Sequence, residues 1–298
     1  MIRRLLITFI AIVMAMAAGI ALGGGPLSDI GRTPSQAAAP PAQPAADPQD
    51  ETRAAYADAF AAGVAPALYA DRLHGHPVAI VMMPGAEAEV VEALAAQVQA
   101  AGTQVIATCA LRRALVDTGE KTLVDTLGIQ LVEQLGADVV TSDATTYDRI
   151  GQLLGHAVSA AKRSEAMDPA RVASLRASLQ GAGLVAQTDD QTEDQADGKP
   201  NLAPLVLVVT GKEVEQPVLA GLVAGLAAVA RGVVVTGPTG DAGVAALRAA
   251  PPVRPVATVD GTETAAGRVS SILALVHVLT TPGGSFGASG ADSPVPLG

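Results

Sequence analysis

Leu205-Val206-Leu207-Val208-Val209 gives the clearest indication of the fold class, and Val233-Val234-Val235-Thr236 repeats its pattern further along this chain of 298 residues. Both runs are apolar at almost every position and do not alternate with polar residues. Strands of this kind are typical of a sheet that helices cover on both faces. Residues 217–230 lie between the two runs and have the apolar spacing of a helix. This order predicts two neighbouring parallel strands joined by a helix.

The same alternation of strands and helices continues on both sides of this unit. Further strands are predicted at 78–83, 104–108 and 256–259. Further helices are predicted at 87–101, 121–135, 146–161, 169–179, 242–249 and 262–279. The pattern predicts an α/β fold over residues 77–281, with a doubly wound, mostly parallel sheet flanked by helices. We expect residues 188–200 to form an acidic linker within it and residues 282–298, rich in Gly, Ser and Pro, to form an irregular tail.

Residues 1–25 are predicted to be an N-terminal membrane anchor. From Leu5 to Leu22 every residue except Thr8 is apolar or small, and a helix of about 18 residues reaches roughly 27 Å, close to the hydrocarbon thickness of a bilayer. Arg3 and Arg4 precede this run, which predicts a cytoplasmic N-terminus and an extracytoplasmic C-terminal domain. A cleaved signal peptide is the alternative, because Ala15-Met16-Ala17 has the small-x-small form of a cleavage site.

Two segments are expected between this anchor and the α/β domain. Residues 26–50 are rich in Pro and Ala, which predicts a disordered linker because nothing in it can form a core. Residues 51–76 are predicted as a connecting helix, which carries Ala57, Phe60, Ala61 and Val64 at three- and four-residue steps.

Charge and cysteine content exclude several classes of function. The formal net charge is −10, which disfavours nucleic acid as a partner because phosphate binding needs clustered Lys and Arg. Cys109 is the only cysteine, so the chain cannot form an internal disulfide. It lies in an apolar run without a His nearby in sequence, which favours a buried structural thiol over a nucleophile.

The turns that follow the predicted strands lack the known fingerprints of nucleotide binding and catalysis. The best placed is Thr236-Gly237-Pro238-Thr239-Gly240-Asp241, which follows a strand and precedes a helix. Asp241 would repel a phosphate, and we predict that it caps the helix instead. The chain has no Gly-x-Ser-x-Gly elbow around Ser142, and its histidines follow no triad order. We therefore expect no enzymatic activity and no bound cofactor.

His74-Gly75-His76 is the one close pair of metal-type ligands. Two imidazoles that are two residues apart can share an ion when a third ligand comes from elsewhere. Met82 and Met83 follow in the first strand, where their side chains should point to opposite faces, so at most one could join the histidines. The alternative is that the methionines fill the core and His74 and His76 mark an exposed turn.

Short segments in a defined order carry a family resemblance. They are Ala18-Gly19-Ile20-Ala21-Leu22-Gly23, Gly25-Pro26-Leu27, Tyr56-Ala57-Asp58-Ala59-Phe60, Val64-Ala65-Pro66, Arg72-Leu73, Pro84-Gly85-Ala86, Val259-Asp260-Gly261-Thr262-Glu263-Thr264, Gly267-Arg268 and Gly284-Ser285-Phe286-Gly287. Together they resemble the actinobacterial MctB family, named for the mycobacterial copper transport protein B. Members usually have a coiled coil before the region of Phe60, whereas this chain has a short Pro/Ala spacer.

The resemblance implies a membrane-anchored cell-envelope protein of copper transport or homeostasis that acts in efflux. Copper would be its transported or bound species, although the resemblance assigns no copper ligand to any residue here. The alternative is an envelope scaffold or binding module that transports nothing. The partners expected are the membrane, through a single N-terminal span, and either a second copy of the chain or another envelope protein.

Overall fold

The structure is a computed structural model, and it describes residues 48–136, 138–160, 167–186, 202–211, 214–251, 254–290 and 292–297. The predicted anchor, most of the Pro/Ala linker and the acidic linker at 188–200 lie outside these ranges. Over the described ranges the α/β fold is confirmed, with a mostly parallel sheet flanked by helices.

Seven strands in the described ranges form one sheet in the order β3-β2-β1-β4-β5-β6-β7. They are β1 Val78–Met82, β2 Val105–Leu111, β3 Val185–Ala186, β4 Leu205–Val209, β5 Gly232–Gly237, β6 Ala257–Asp260 and β7 Gly284–Gly287. Neighbouring strands are parallel except β2 and β3. The chain moves outward from β1 to β2, and it returns to the other side of β1 with β4. The winding direction of the sheet therefore reverses between β1 and β4.

Helices cover both faces of this sheet. They are α1 Pro48–Tyr69, α2 Ala88–Ala100, α3 Arg113–Val116, α4 Lys121–Leu135, α5 Thr146–Val158, α6 Pro169–Gly181, α7 Gln216–Val229, α8 Ala242–Ala249 and α9 Ala265–His277. One apolar core joins the sheet to α1, α2 and α9, and a second joins it to α3 through α8. Val78 and Ile80 of β1 enter the first core, while Ala79 and Val81 enter the second, as the alternation of side chains along a strand requires.

The first and last parts of the domain differ from the prediction. The connecting helix predicted over 51–76 ends at Tyr69, because Asp71 with φ 59° and Gly75 with φ 75° turn the chain before β1. The tail expected to be irregular contains β7, which pairs in parallel with β6. Its sequence, Gly-Ser-Phe-Gly, has no β-branched residue and gave no strand signal.

Glycines allow α5 and α7 to cross with their backbones in contact. A Cβ atom on Gly225 of α7 would lie 2.2 Å from the carbonyl oxygen of Asp148, and one on Gly151 of α5 would lie 2.3 Å from that of Leu222. Backbone atoms cannot move aside as the end of a side chain can. The two helices therefore depend on the absence of side chains at the crossing, as in other small-residue helix contacts.

We expect Gly225→Ala to lower the free energy of unfolding by about 2–3 kcal/mol, because overpacking at a fixed backbone outweighs the better helix propensity of Ala. Urea denaturation followed by circular dichroism measures this. Gly63→Ala on α1 is the matched control, since a Cβ there meets nothing within 4 Å, and it should not lower stability. Equal effects of the two substitutions would contradict the proposed crossing.

Candidate functional site

The crevice where doubly wound sheets usually bind ligands is filled by main chain in this protein. Such ligands bind outside the carboxyl ends of the strands at the point where winding reverses, which here lies between β1 and β4. The backbone N–H of Met83 donates to the carbonyl oxygen of Val209 at 2.9 Å. A Cβ on Gly211 would lie 2.2 Å from the carbonyl oxygen of Pro84. The two turns therefore touch where a ligand would enter.

Polar side chains gather instead at the carboxyl ends of β4, β5 and β6. Asp241 Oδ1 accepts from the backbone N–H of Val244 at 2.7 Å, and its Oδ2 accepts from Thr210 Oγ1 at 3.0 Å. The predicted role of Asp241 as the N-cap of α8 is therefore confirmed. Beside it, the hydroxyls of Thr236 and Ser271 form a buried hydrogen bond of 2.8 Å.

Asp260, at the end of β6, is the centre of a buried polar cluster. Its Oδ1 lies 3.1 Å from Arg248 Nη2, with side-chain exposures of 2% for the aspartate and 12% for the arginine. The backbone N–H of Ser289 donates to the carboxylate at 3.0 Å, and the Ser289 hydroxyl makes a second, short hydrogen bond. Burial alone would raise the pKa of Asp260, but the hydrogen bonds from Ser289 and Arg248 outweigh it and hold that pKa below its ordinary value.

Arg248 ties this cluster to the last strand. Its Nη1 donates to Ser289 Oγ at 2.9 Å and its Nε donates to Thr258 Oγ1 at 3.1 Å, while Nη2 also donates to the carbonyl oxygen of Phe286 in β7. The guanidinium thus joins α8, β6 and β7. Its hydrogen bonds therefore hold the last two strands together at the edge of the sheet.

A second set of contacts converges on the start of α9. Thr264 is the N-cap, and its Oγ1 accepts from Gly267 N at 3.0 Å. Asp58, from the distant helix α1, accepts from the backbone N–H of Ala265 at 2.9 Å. Glu263 accepts from the backbone N–H of Thr239 at 3.0 Å. We call this set the α9 cap.

The cluster and the α9 cap bring together segments that carried the family resemblance. Asp58 belongs to Tyr56-Ala57-Asp58-Ala59-Phe60, and Asp260 and Thr264 belong to Val259-Asp260-Gly261-Thr262-Glu263-Thr264. These carboxylates stabilise the fold, because each of them accepts a hydrogen bond from a backbone N–H group of the domain.

The structure places His74 and His76 at the opposite end of the sheet, in the turn before β1. His74 is exposed and His76 is half-buried. The backbone N–H of His74 donates to Asp71 O at 3.1 Å and that of His76 to Leu73 O at 2.9 Å. These bonds fix the turn. In the described part of the chain, no three His, Cys, Asp or Glu side chains are grouped so as to hold a metal ion.

The methionines do not lie beside this turn. Met82 ends β1 and packs against the core of α1, α2 and α9, whereas Met83 is buried in the opposite core, as predicted. A strand of five residues spans roughly 16 Å, so β1 separates both thioethers from the histidine turn.

Cys109 and the two other histidines, His156 and His277, are packing residues. Cys109 is buried, with 7% of its surface exposed. His277 packs edge to face against Phe286, with ring centroids 5.2 Å apart. His156 Nε2 lies 2.9 Å from Val139 O. Burial lowers the pKa of His156.

Sequence reasoning did not assign roles to Arg248, Ser289 or Asp58. Their partners are distant in the chain, with separations of 207 residues for Asp58 and Ala265 and 12 for Arg248 and Asp260. The available signal was the presence of Asp58 and Asp260 in segments that resemble one family. That signal singles out the two segments, but it does not show which residues in them make contact.

A family model described as "Copper transport outer membrane protein, MctB" matches residues 1–296 of the chain. A search of curated proteins finds no significant match. Along the described ranges, no helix is both long and apolar enough to cross a membrane. The predicted span from Leu5 to Leu22 lies outside those ranges.

We expect Arg248→Ala to lower the free energy of unfolding by about 3–5 kcal/mol, because it leaves the Asp260 carboxylate buried without its cation. Arg149→Ala is the matched control. It breaks an Arg–Asp pair of 2.7 Å in which the side chains are 21% and 40% exposed, and should cost about 1 kcal/mol. Urea denaturation at neutral pH distinguishes these outcomes, and similar losses would mean that the buried pair has no special role.

Stability should also fall with acid in a way that depends on Asp260. Its pKa is lower in the folded than in the unfolded protein, so its contribution is complete above the unfolded value of about 3.9 and is lost as pH falls towards the folded value. In Asp260→Asn the decline of unfolding free energy between about pH 5 and pH 3 should be shallower than in the parent chain. Identical slopes would refute this assignment.

Proposed function

The chain belongs to the MctB family, and from this premise we propose that it is a membrane-anchored component of copper efflux in the cell envelope. Family membership by itself supports a role in copper transport or homeostasis in the envelope. Efflux and the membrane anchor are the further parts of the proposal. The observation that carries the proposal is the extent of the match, residues 1–296. It includes the apolar N-terminal run as well as the α/β domain.

The proposed anchor is the run from Leu5 to Leu22, as a single span. Arg3 and Arg4 on its N-terminal side support a cytoplasmic start, because basic residues flanking a span favour the inner side. The α/β domain would then act outside the cytoplasm, with the Pro/Ala linker of residues 26–50 as the spacer between anchor and domain.

Copper would meet the protein at the turn of His74 and His76. Imidazole nitrogens suit copper. His74 is exposed, and Gly75, with φ 75°, lies between the two histidines in the turn. Two imidazoles give an incomplete ligand set. Such a site would hold copper weakly enough to release it, as a transport step requires.

The α/β domain would work without catalysis and without nucleic acid. The carboxylates at the carboxyl edge of the sheet, Asp241, Asp260 and Glu263, accept hydrogen bonds from backbone and hydroxyl groups of the fold. The formal net charge of −10 opposes phosphate backbones. Both features favour a role in binding or positioning.

A scaffold that transports nothing is the second candidate. It is favoured by the exposed aromatic residues of α1, Tyr56 and Phe60, which are 73% and 60% exposed. Large exposed apolar side chains that lie together mark surfaces for other proteins.

Titration of the full chain in detergent micelles with Cu(II), followed by calorimetry, tests the proposed copper contact. We expect binding in the parent chain and an affinity lower by about tenfold or more in His74→Ala/His76→Ala, a change of at least about 1.4 kcal/mol. Removing both imidazoles leaves no nitrogen side-chain ligand in the turn.

Met82→Leu is the control for the thioether, because Leu has nearly the same volume and Met82 lies at the far end of β1. It should bind copper like the parent. Unchanged binding in the double histidine variant would place the contact elsewhere in the chain, and no binding by the parent would favour the scaffold. Thermal melts of each variant show whether the fold is retained.

A further inference from the structure

Helix α1 has two opposite faces. Its inner face packs on the domain through Ala65 and Tyr69, which are 4% and 1% exposed. At 100° per residue, the opposite face carries four exposed residues at steps of four, three and four. They are Tyr56, Phe60, Gly63 and Ala67, and we call them the outer stripe.

The aromatic residues of the outer stripe are unusual for this chain. It has only three Tyr and three Phe, and the other described ones, Tyr69, Tyr147 and Phe286, are at most 7% exposed. Tyr56 and Phe60 are exposed and already stacked on each other, with centroids 6.5 Å apart and an interplanar angle of 27°. Rings held in place lose little further side-chain freedom when a partner covers them.

The second half of the stripe is smooth. Gly63 and Ala67 have almost no side chain, and a Cβ on Gly63 would meet nothing within 4 Å. Another helix can therefore approach the α1 backbone closely here, as in other helix pairs with small residues at their contact. Two helices with this surface are complementary to each other, with rings in contact at one end and backbones at the other.

We propose that the outer stripe pairs with the same stripe of a second copy, with the two α1 helices parallel and in register. The proposal rests on the membrane anchor of the proposed function. Two copies in one membrane have spacers of equal length before residue 48, so their α1 helices start at equal average heights. Identical residues then meet in a parallel pair, and the shared membrane supplies a high effective concentration for a small interface.

The charges of α1 favour a second copy over a lipid surface. The helix carries Asp50 and Glu51 in its first turn and Asp58 further on, against a single cation, Arg53. Helices that lie on membranes are rich in Lys and Arg, which anionic lipids attract. Asp58 points to the domain, where it caps α9, so it does not face the partner's stripe.

Cysteine cross-linking of the full chain in phosphatidylcholine vesicles tests the pairing. Gly63→Cys puts a thiol on the outer stripe, and Ala62→Cys puts one on a neighbour that is also exposed but faces about 100° away. With a short bismaleimide, we expect at least a fivefold higher yield of covalent dimer for Gly63→Cys. The parent chain, with only the buried Cys109, should give almost none.

The aromatic contribution is tested in the Gly63→Cys chain. Adding Tyr56→Ala/Phe60→Ala should reduce the dimer yield severalfold, while adding Leu123→Ala/Ile129→Ala should not, although Leu123 and Ile129 are 46% and 43% exposed on α4. Equal yields at 62 and 63, no covalent dimer, or a cross-link to a lipid or another protein would overturn the pairing.

Co-sedimentation with the vesicles separates the two proposals. A chain that co-sediments but does not cross-link sinks the pairing and leaves the anchor intact. A chain that stays in the supernatant contradicts the anchor, and with it the tethered pair.

Discussion

The packing of this domain requires backbone segments to approach each other closely. The central strands β1, β4 and β5 are covered on both faces by Ala, Val and Leu side chains, and a core of such small residues fills space only when its elements lie near each other. Glycines make this possible where α5 crosses α7, and again where Gly211 meets Pro84. The second contact fills the crevice in which related sheets hold ligands. The same packing that builds the core therefore removes the usual binding position from the fold.

Polar chemistry is consequently found where the packing ends, at β6, β7 and the start of α9. The pair of Arg248 and Asp260 is too buried to be a strong source of net stability, since desolvation offsets much of its attraction. Its value lies in specificity, because Arg248 reaches β7 only when that glycine-rich strand lies in register beside β6. Residues 292–294 then lie beside β7 and parallel to it, with Gly287 N donating to Pro294 O at 3.0 Å. A free sheet edge, which is prone to pair with other chains, is covered in this way.

Sequence patterns predicted those elements whose signal is local. The bounds of β4 and α4 match the structure residue for residue, because a run of five aliphatic residues and an amphipathic helix are self-contained patterns. Asp168 caps α6 through an equally local contact, with its Oδ1 accepting from Ala170 N at 2.8 Å. By contrast, β3 has two residues and β7 is rich in glycine, so each exists only through pairing with a neighbour. The α9 cap could not be predicted from the sequence for the same reason, because Asp58 and Ala265 are far apart in the chain and meet only after folding.

The histidine turn and the outer stripe are linked by their positions along one segment of chain. The turn of His74 and His76 follows shortly after the end of α1 at Tyr69. The orientation of α1 in a pair of helices therefore determines at which end of the pair this turn lies. In a parallel pair both turns lie at the same end of the helices, whereas an antiparallel pair would separate them by the length of α1, roughly 33 Å for 22 residues. One turn offers copper two imidazoles, which is fewer than the three or four donors of a closed site. Orientation, and not association alone, therefore decides whether two copies can concentrate their copper ligands in one place.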